Sequence, residues 1–177
     1  MINKGSEWNI WDLHVHTPAS IFHRYGNDSD VWEKYITDLE NLPSEFKVVG
    51  INDYFFIDGY ERLLREQNEN GRLNNLLLIP VLEFRIEKFA GVDFKNLKRI
   101  NFHVIFSPEV SIETIKSQFL NTLEQSYVLE SDGAAWTRAI TRSSVEELGR
   151  KIKESVPADQ LHNYGSDLIE GFNNLNL

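Results

Sequence analysis

An α/β architecture with a mainly parallel sheet is the fold class that three observations predict. Strand-like and helix-like segments alternate along the chain, the pattern of β-α-β units. Residues 76–82 form a continuous apolar run, as in strands covered on both faces. The 177 residues are 41% apolar and 25% charged, a globular composition that suits a single domain.

The elements follow in order. Residues 10–16 read as a first strand, because two-residue alternation sets Ile10, Asp12, His14 and His16 against Trp11, Leu13 and Val15. Thr17-Pro18-Ala19-Ser20 breaks it. Asp28, Ser29 and Asp30 are cap candidates for a helix reaching about Leu42, with Val31, Tyr35 and Leu39 on one stripe. Pro43 stops that helix. A second strand over 46–51 ends at Asn52-Asp53, and a short helix over 60–68 ends near Asn70-Gly71. The third strand, 76–82, ends in Glu83. Residues 84–98, charged and aromatic around Gly91, read as a hairpin or excursion before a fourth, alternating strand over 99–106. Beyond it the pattern predicts helices over about 111–125 and 143–154, and a weaker one over 167–172. Between the first two of these, 127–141 reads as a loop turning at Asp132-Gly133. Strand ends in parallel α/β folds carry function, so His14, His16, Asn52, Asp53, Glu83 and His103 are expected to collect on one rim.

Charge and composition exclude several classes. Eighteen Lys and Arg against 27 Asp and Glu leave a formal −9, a field that opposes a phosphate-coating surface unless bound cations reverse it locally. There is no Cys, so disulfides, thiolate metal sites and Cys nucleophiles are excluded, in keeping with a cytoplasmic protein. No apolar run approaches the ~20 residues of a membrane span, and residues 1–10 lack the apolar core of a signal peptide, so no membrane partner is expected. Repeats are absent, and the Asn-rich stretch 163–176 is the nearest approach to low complexity. Neither a Gly-x-x-x-x-Gly-Lys-Ser/Thr loop nor a Gly-x-Ser-x-Gly elbow occurs. Trp8, Trp11, Trp32 and Trp136 read as core or interface residues, and Arg138, Arg142 and Arg150 as solvated positions.

His14-Val15-His16 is the sharpest chemical signal. On a strand, residues i and i+2 point the same way, so both imidazoles can reach one ion. Imidazole suits zinc, iron and nickel, and carboxylates extend the range to manganese and magnesium. Such a pair alone is explained by chance, but here Asp12 precedes it, and Glu83 and His103 lie at other expected strand ends.

Trp11-Asp12-Leu13-His14-Val15-His16-Thr17-Pro18-Ala19-Ser20 resembles the opening motif of the PHP (polymerase and histidinol phosphatase) domain family. Val49-Gly50-Ile51-Asn52-Asp53, Ile79-Pro80-Val81-Leu82-Glu83 and Asn101-Phe102-His103-Val104 match later family segments in order, over about residues 8–107. The resemblance implies a distorted β/α barrel with up to three divalent metal ions (Mn, Fe or Zn) at the strand ends. It further implies phosphoester hydrolysis by metal-activated water, on a phosphoester substrate that could be a nucleotide or nucleic acid. It makes His14, His16, Glu83 and His103 metal ligands, with His23 as a further one. Asp12 would orient an imidazole and Asp53 would serve the chemistry; where the family places a His this chain has Tyr54, which implies either that Asp53 takes over that position or that one metal is absent. The family's closing Asp-x-His is missing: Gly165-Ser166-Asp167 is followed by Ile169 at the His position. This departure implies either a degenerate scaffold or binding module, or the N-terminal part of a longer protein whose C-terminal domain follows. The second is favoured, because the motif is similar to PHP modules fronting large ATPases and only four strands were read. Hydrolysis of C–N bonds is a third reading, since related barrels also open with His-x-His.

Overall fold

The computed structural model describes residues 8–26, 28–92, 96–128, 133 and 135–175. They fall into two compact units, Met1–Leu82 with His103–Val110, and Glu83–Phe102 with Ser111–Leu177. The chain crosses from one unit to the other within two strands and again after Val110.

The first unit holds β1 (Ile10–Val15), α1 (Val31–Glu40), β2 (Phe46–Tyr54), α2 (Asp58–Asn70), the first part of β3 (Leu77–Ala90) and the last part of β4 (Lys98–Ile105). The strands lie in the order β1-β2-β3-β4. β1 runs parallel to β2, with Trp11 opposite Val48 and Val15 opposite Ile51, and the register slips between Asp12 and Val15. Gly50 permits that irregular approach: a Cβ there would stand 2.7 Å from the Leu13 Cα. α1 buries Tyr35, Ile36 and Leu39, on the stripe its periodicity predicts. Asp30 occupies its N-cap without a side-chain cap bond and pairs instead with Lys34 at 3.1 Å. α2 runs to Asn70 and closes on Gly71, whose φ of 67° suits the left-handed C-cap. Val48, Ile79 and Val81 are buried together, with Leu13 packed on them. Arg72 binds Glu40 through two nitrogens and reaches Glu33, linking the end of α2 to α1.

The second unit holds the rest of β3 and β4, then α3 (Ile112–Gln118), a 3-10 turn (Leu120–Thr122), β5 (Glu124–Val128), β6 (Ala135–Ala139), α4 (Arg142–Glu154) and α5 (Asp167–Asn174). Its helices start on side-chain caps. Ser111 accepts from the Thr114 N–H, Thr141 and Ser144 form a reciprocal capping box, and Ser166 accepts from the Ile169 N–H. Val145, Leu148, Phe172 and Leu175 are fully buried, with the Arg85 guanidinium 4.7 Å from the Phe172 ring centre.

The expected mainly parallel β/α barrel is not what forms. The fold is mixed α/β with partly antiparallel strands: a four-stranded sheet, and a separate antiparallel pair β5-β6. β3 and β4 are adjacent and joined through 91–97, too short for a parallel crossover of a dozen or more residues, so they form an antiparallel hairpin. The Phe106 N–H donates to the Pro80 carbonyl at 3.0 Å near its base. The rim of strand ends changes accordingly. Glu83 lies inside β3 rather than at its end, Asn52 and Asp53 lie within β2, and His103 rides a strand of opposite direction.

Two further elements differ from expectation. The helix predicted over 111–125 stops at Gln118, and the loop predicted over 127–141 carries strand at 127–128 and 135–139. The cause is a change of period: Gln125 and Trp136 are buried while Glu124, Ser126, Val128, Ala135 and Thr137 face out, an alternation masked by polar inward residues. Residues 1–7 of the N-terminus, 93–95 of the excursion, Asp132 of the expected turn and Asn176 of the Asn-rich end lie outside the described residues. Among the described residues no helix is long and apolar enough to cross a membrane.

Candidate metal centre

β1 delivers His14, and the next turn of chain delivers His16. Their rings are 5.2 Å apart between centroids, edge to face. His103, on β4, brings its ring to 5.0 Å from His14. One ligand-capable nitrogen of His14 and one of His103 lie within 4.8 Å of each other. His14 thus has an imidazole neighbour in both His16 and His103, although His103 is 89 positions away in the chain.

The His16 side is the more tightly held. Ser20 Oγ is 3.3 Å from His16 Nδ1, the Tyr25 hydroxyl donates to the His16 carbonyl at 2.9 Å, and the Tyr54 ring stacks on the imidazole at 4.9 Å. Immediately after His16, Thr17 is anchored to Asp53. The Asp53 carboxylate accepts from the Thr17 N–H at 2.8 Å and from its hydroxyl at 2.6 Å. Burial raises the Asp53 pKa, opposed by the two Thr17 hydrogen bonds and by the charge of His16. Asp53 therefore acts as an internal tether for the chain that leaves β1. Burial also raises the Tyr25 pKa, with the negative charges of Asp53 and Asp38 adding to it, so that hydroxyl stays protonated and donates.

Asp12 sits on the exposed side of β1, and the bond it makes is to the His14 backbone N–H at 3.1 Å. The carboxylate thereby steadies the peptide that carries His14. His23 lines a cleft of about 690 Å³ together with His14, His16 and Tyr54. Its Nδ1 is buried and has no hydrogen-bond partner among the described residues. An orphaned imidazole nitrogen costs free energy unless something polar occupies the space beside it. In the second unit Glu83 is fully buried and accepts a hydrogen bond from the Asn101 amide.

The donors in hand are imidazole nitrogens, one of them orphaned among the described residues, which suit a borderline divalent cation such as zinc, iron or nickel. Three side chains that hold or line this region escape the sequence reading: Phe22, Arg24 and Tyr25. Their only sequence signal is position, since they flank His23 in a segment with no regular period. Comparison with protein-family models, with curated proteins and with solved structures returns no match to this chain.

Proposed function

We propose that this chain is a metal-dependent phosphoester hydrolase domain of PHP type. The observation that carries the reading is the grouping of His14 with His16 and with His103, at centroid distances of 5.2 and 5.0 Å. His14, His16, His103 and His23 would hold the cation. A bound divalent cation supplies Lewis acidity toward a phosphoryl oxygen and makes water acidic enough to attack at neutral pH. The chain's own part is to hold the ligands still. Ser20, Tyr25 and Tyr54 fix the His16 ring and peptide, while Thr17 and Asp53 anchor the backbone behind it. Such support commonly carries 10- to 100-fold of metal affinity. The absence of Cys accords with a cytoplasmic setting for this chemistry.

The test joins metal content to rate. Protein incubated with Mn, Fe or Zn and desalted is expected to retain metal by elemental analysis and to hydrolyse p-nitrophenyl phosphate. His14→Ala with His16→Ala is expected to remove the metal and at least 100-fold of the rate. Protein that retains no metal, or whose rate is unmoved by the double change, sinks the reading.

Tyr54, stacked on His16 where the family resemblance places an imidazole, favours a second reading, a metal-binding module without turnover. Metal retention with no hydrolysis of p-nitrophenyl phosphate or single-stranded DNA would select it.

A further inference from the structure

We propose that the cleft beside the imidazoles takes a nucleoside monophosphate, its phosphoryl group toward His14 and His16 and its base against an aromatic wall. The inference rests on the hydrolase reading and names its substrate class. The cleft volume, about 690 Å³, falls in the ~300–1,000 Å³ range of small-ligand sites. Besides the imidazoles it is lined by Phe22, Tyr25, Tyr54 and Arg24. Phe22 stands edge-on to Tyr54 at 6.0 Å, and Tyr54 is stacked on His16, so the aromatic surface runs continuously up to the imidazoles. Bases stack on such surfaces whatever their identity, because each has a π face.

Arg24 is exposed and is the one cation among the residues lining the cleft. A guanidinium offers paired donors that match two phosphoryl oxygens, which gives the phosphate a defined orientation. The surroundings argue for one nucleotide rather than a strand. The first unit contains 7 Lys and Arg against 14 Asp and Glu, a field that repels every phosphate beyond the one Arg24 meets.

AMP and ribose 5-phosphate share the same primary ester and differ by the base, so their comparison isolates the wall. Calorimetric titration of the full chain, in EDTA and again with Mn, is expected to show AMP binding at least tenfold tighter than ribose 5-phosphate. Phe22→Leu should cut that preference at least fivefold. Arg24→Gln, an exposed change, should weaken AMP about tenfold, and it serves as the deciding variant if Phe22→Leu does not fold. Equal binding of the two ligands under both conditions, a preference untouched by these changes, or tighter binding of a short oligonucleotide than of AMP overturns the assignment. That holds even if p-nitrophenyl phosphate is hydrolysed. A clear AMP preference without Mn-dependent hydrolysis sustains the cleft assignment and sinks the hydrolase reading.

Discussion

In the first unit the backbones of β1 and β2 close on each other at Gly50; in the second, a helix backbone closes on another at Gly171. A Cβ on Gly50 would lie 2.7 Å from the Leu13 Cα, next to His14, and a Cβ on Gly171 would lie 1.8 Å from the Val145 carbonyl oxygen. The same missing side chain serves different ends. At Gly50 it brings the strand that carries His14 into position beside a cleft. At Gly171 it lets α5 seat on α4, where Val145, Leu148 and Phe172 are fully buried. One region places chemistry, the other makes stability, and substitutions should separate the two.

The largest effect is expected at the helix contact. Gly171→Ala must displace backbone rather than a flexible side chain, and should cost about 3 kcal/mol, the upper range for overpacking. Urea denaturation measures it, and a loss under 1 kcal/mol would mean that the α4–α5 contact is looser than drawn. Metal bound per folded molecule should stay at the parent level.

Gly50→Ala is expected to cost roughly 2 kcal/mol by the same overpacking argument and, unlike Gly171→Ala, to weaken metal binding as well. The strand that yields is the one carrying His14. Equal metal affinity in both variants would break the contrast.

Thr17→Val keeps the shape and removes the hydroxyl that donates to the buried Asp53 carboxylate. Leaving a buried acceptor short of a partner costs about 1–3 kcal/mol. The expected signature is a loss near the middle of that range, with metal retention reduced because the chain after His16 loses its tether.

The smallest effect concerns pH. Lys153, followed by Arg150, holds the Asp167 carboxyl below the usual range, with Lys153 Nζ 2.5 Å away. A depressed carboxyl contributes stability that is complete above its unfolded value near ~3.9 and fades as pH falls through the lower folded value. Because the pair is partly solvated, about 0.5 kcal/mol is at stake. Asp167→Asn should therefore match the parent at pH 2 and fall slightly behind at pH 7, as stability against urea at the two values would show. A difference confined to acid would reverse the sign of the argument.

Local pattern made much of this molecule readable. Alternation marked β1, the 3.6-residue stripe marked α1, and the glycine after Asn70 marked the end of α2. His14 and His16 stood out because a strand alone dictates that they face the same way. The grouping with His103 was expected from the rule that strand ends carry function, and the structure brings it about on a strand of the other direction. Phe22, Arg24 and Tyr25 were not legible at all, since an irregular segment leaves no period to read. The β5-β6 pair was hidden for a related reason. Its inward residues include Gln125, whose polarity disguises the alternation.

By itself the sequence determined which residues could chelate, which segments could be strands or helices, and that no thiol takes part. These follow from side-chain chemistry and from dihedral preferences that act within a few residues. Tertiary structure alone decided strand direction. β4 runs back along β3, so His103 reaches His14 through pairing register instead of a parallel strand end. That choice depends on which long-range pairings bury the most apolar surface, and no local window of sequence contains it.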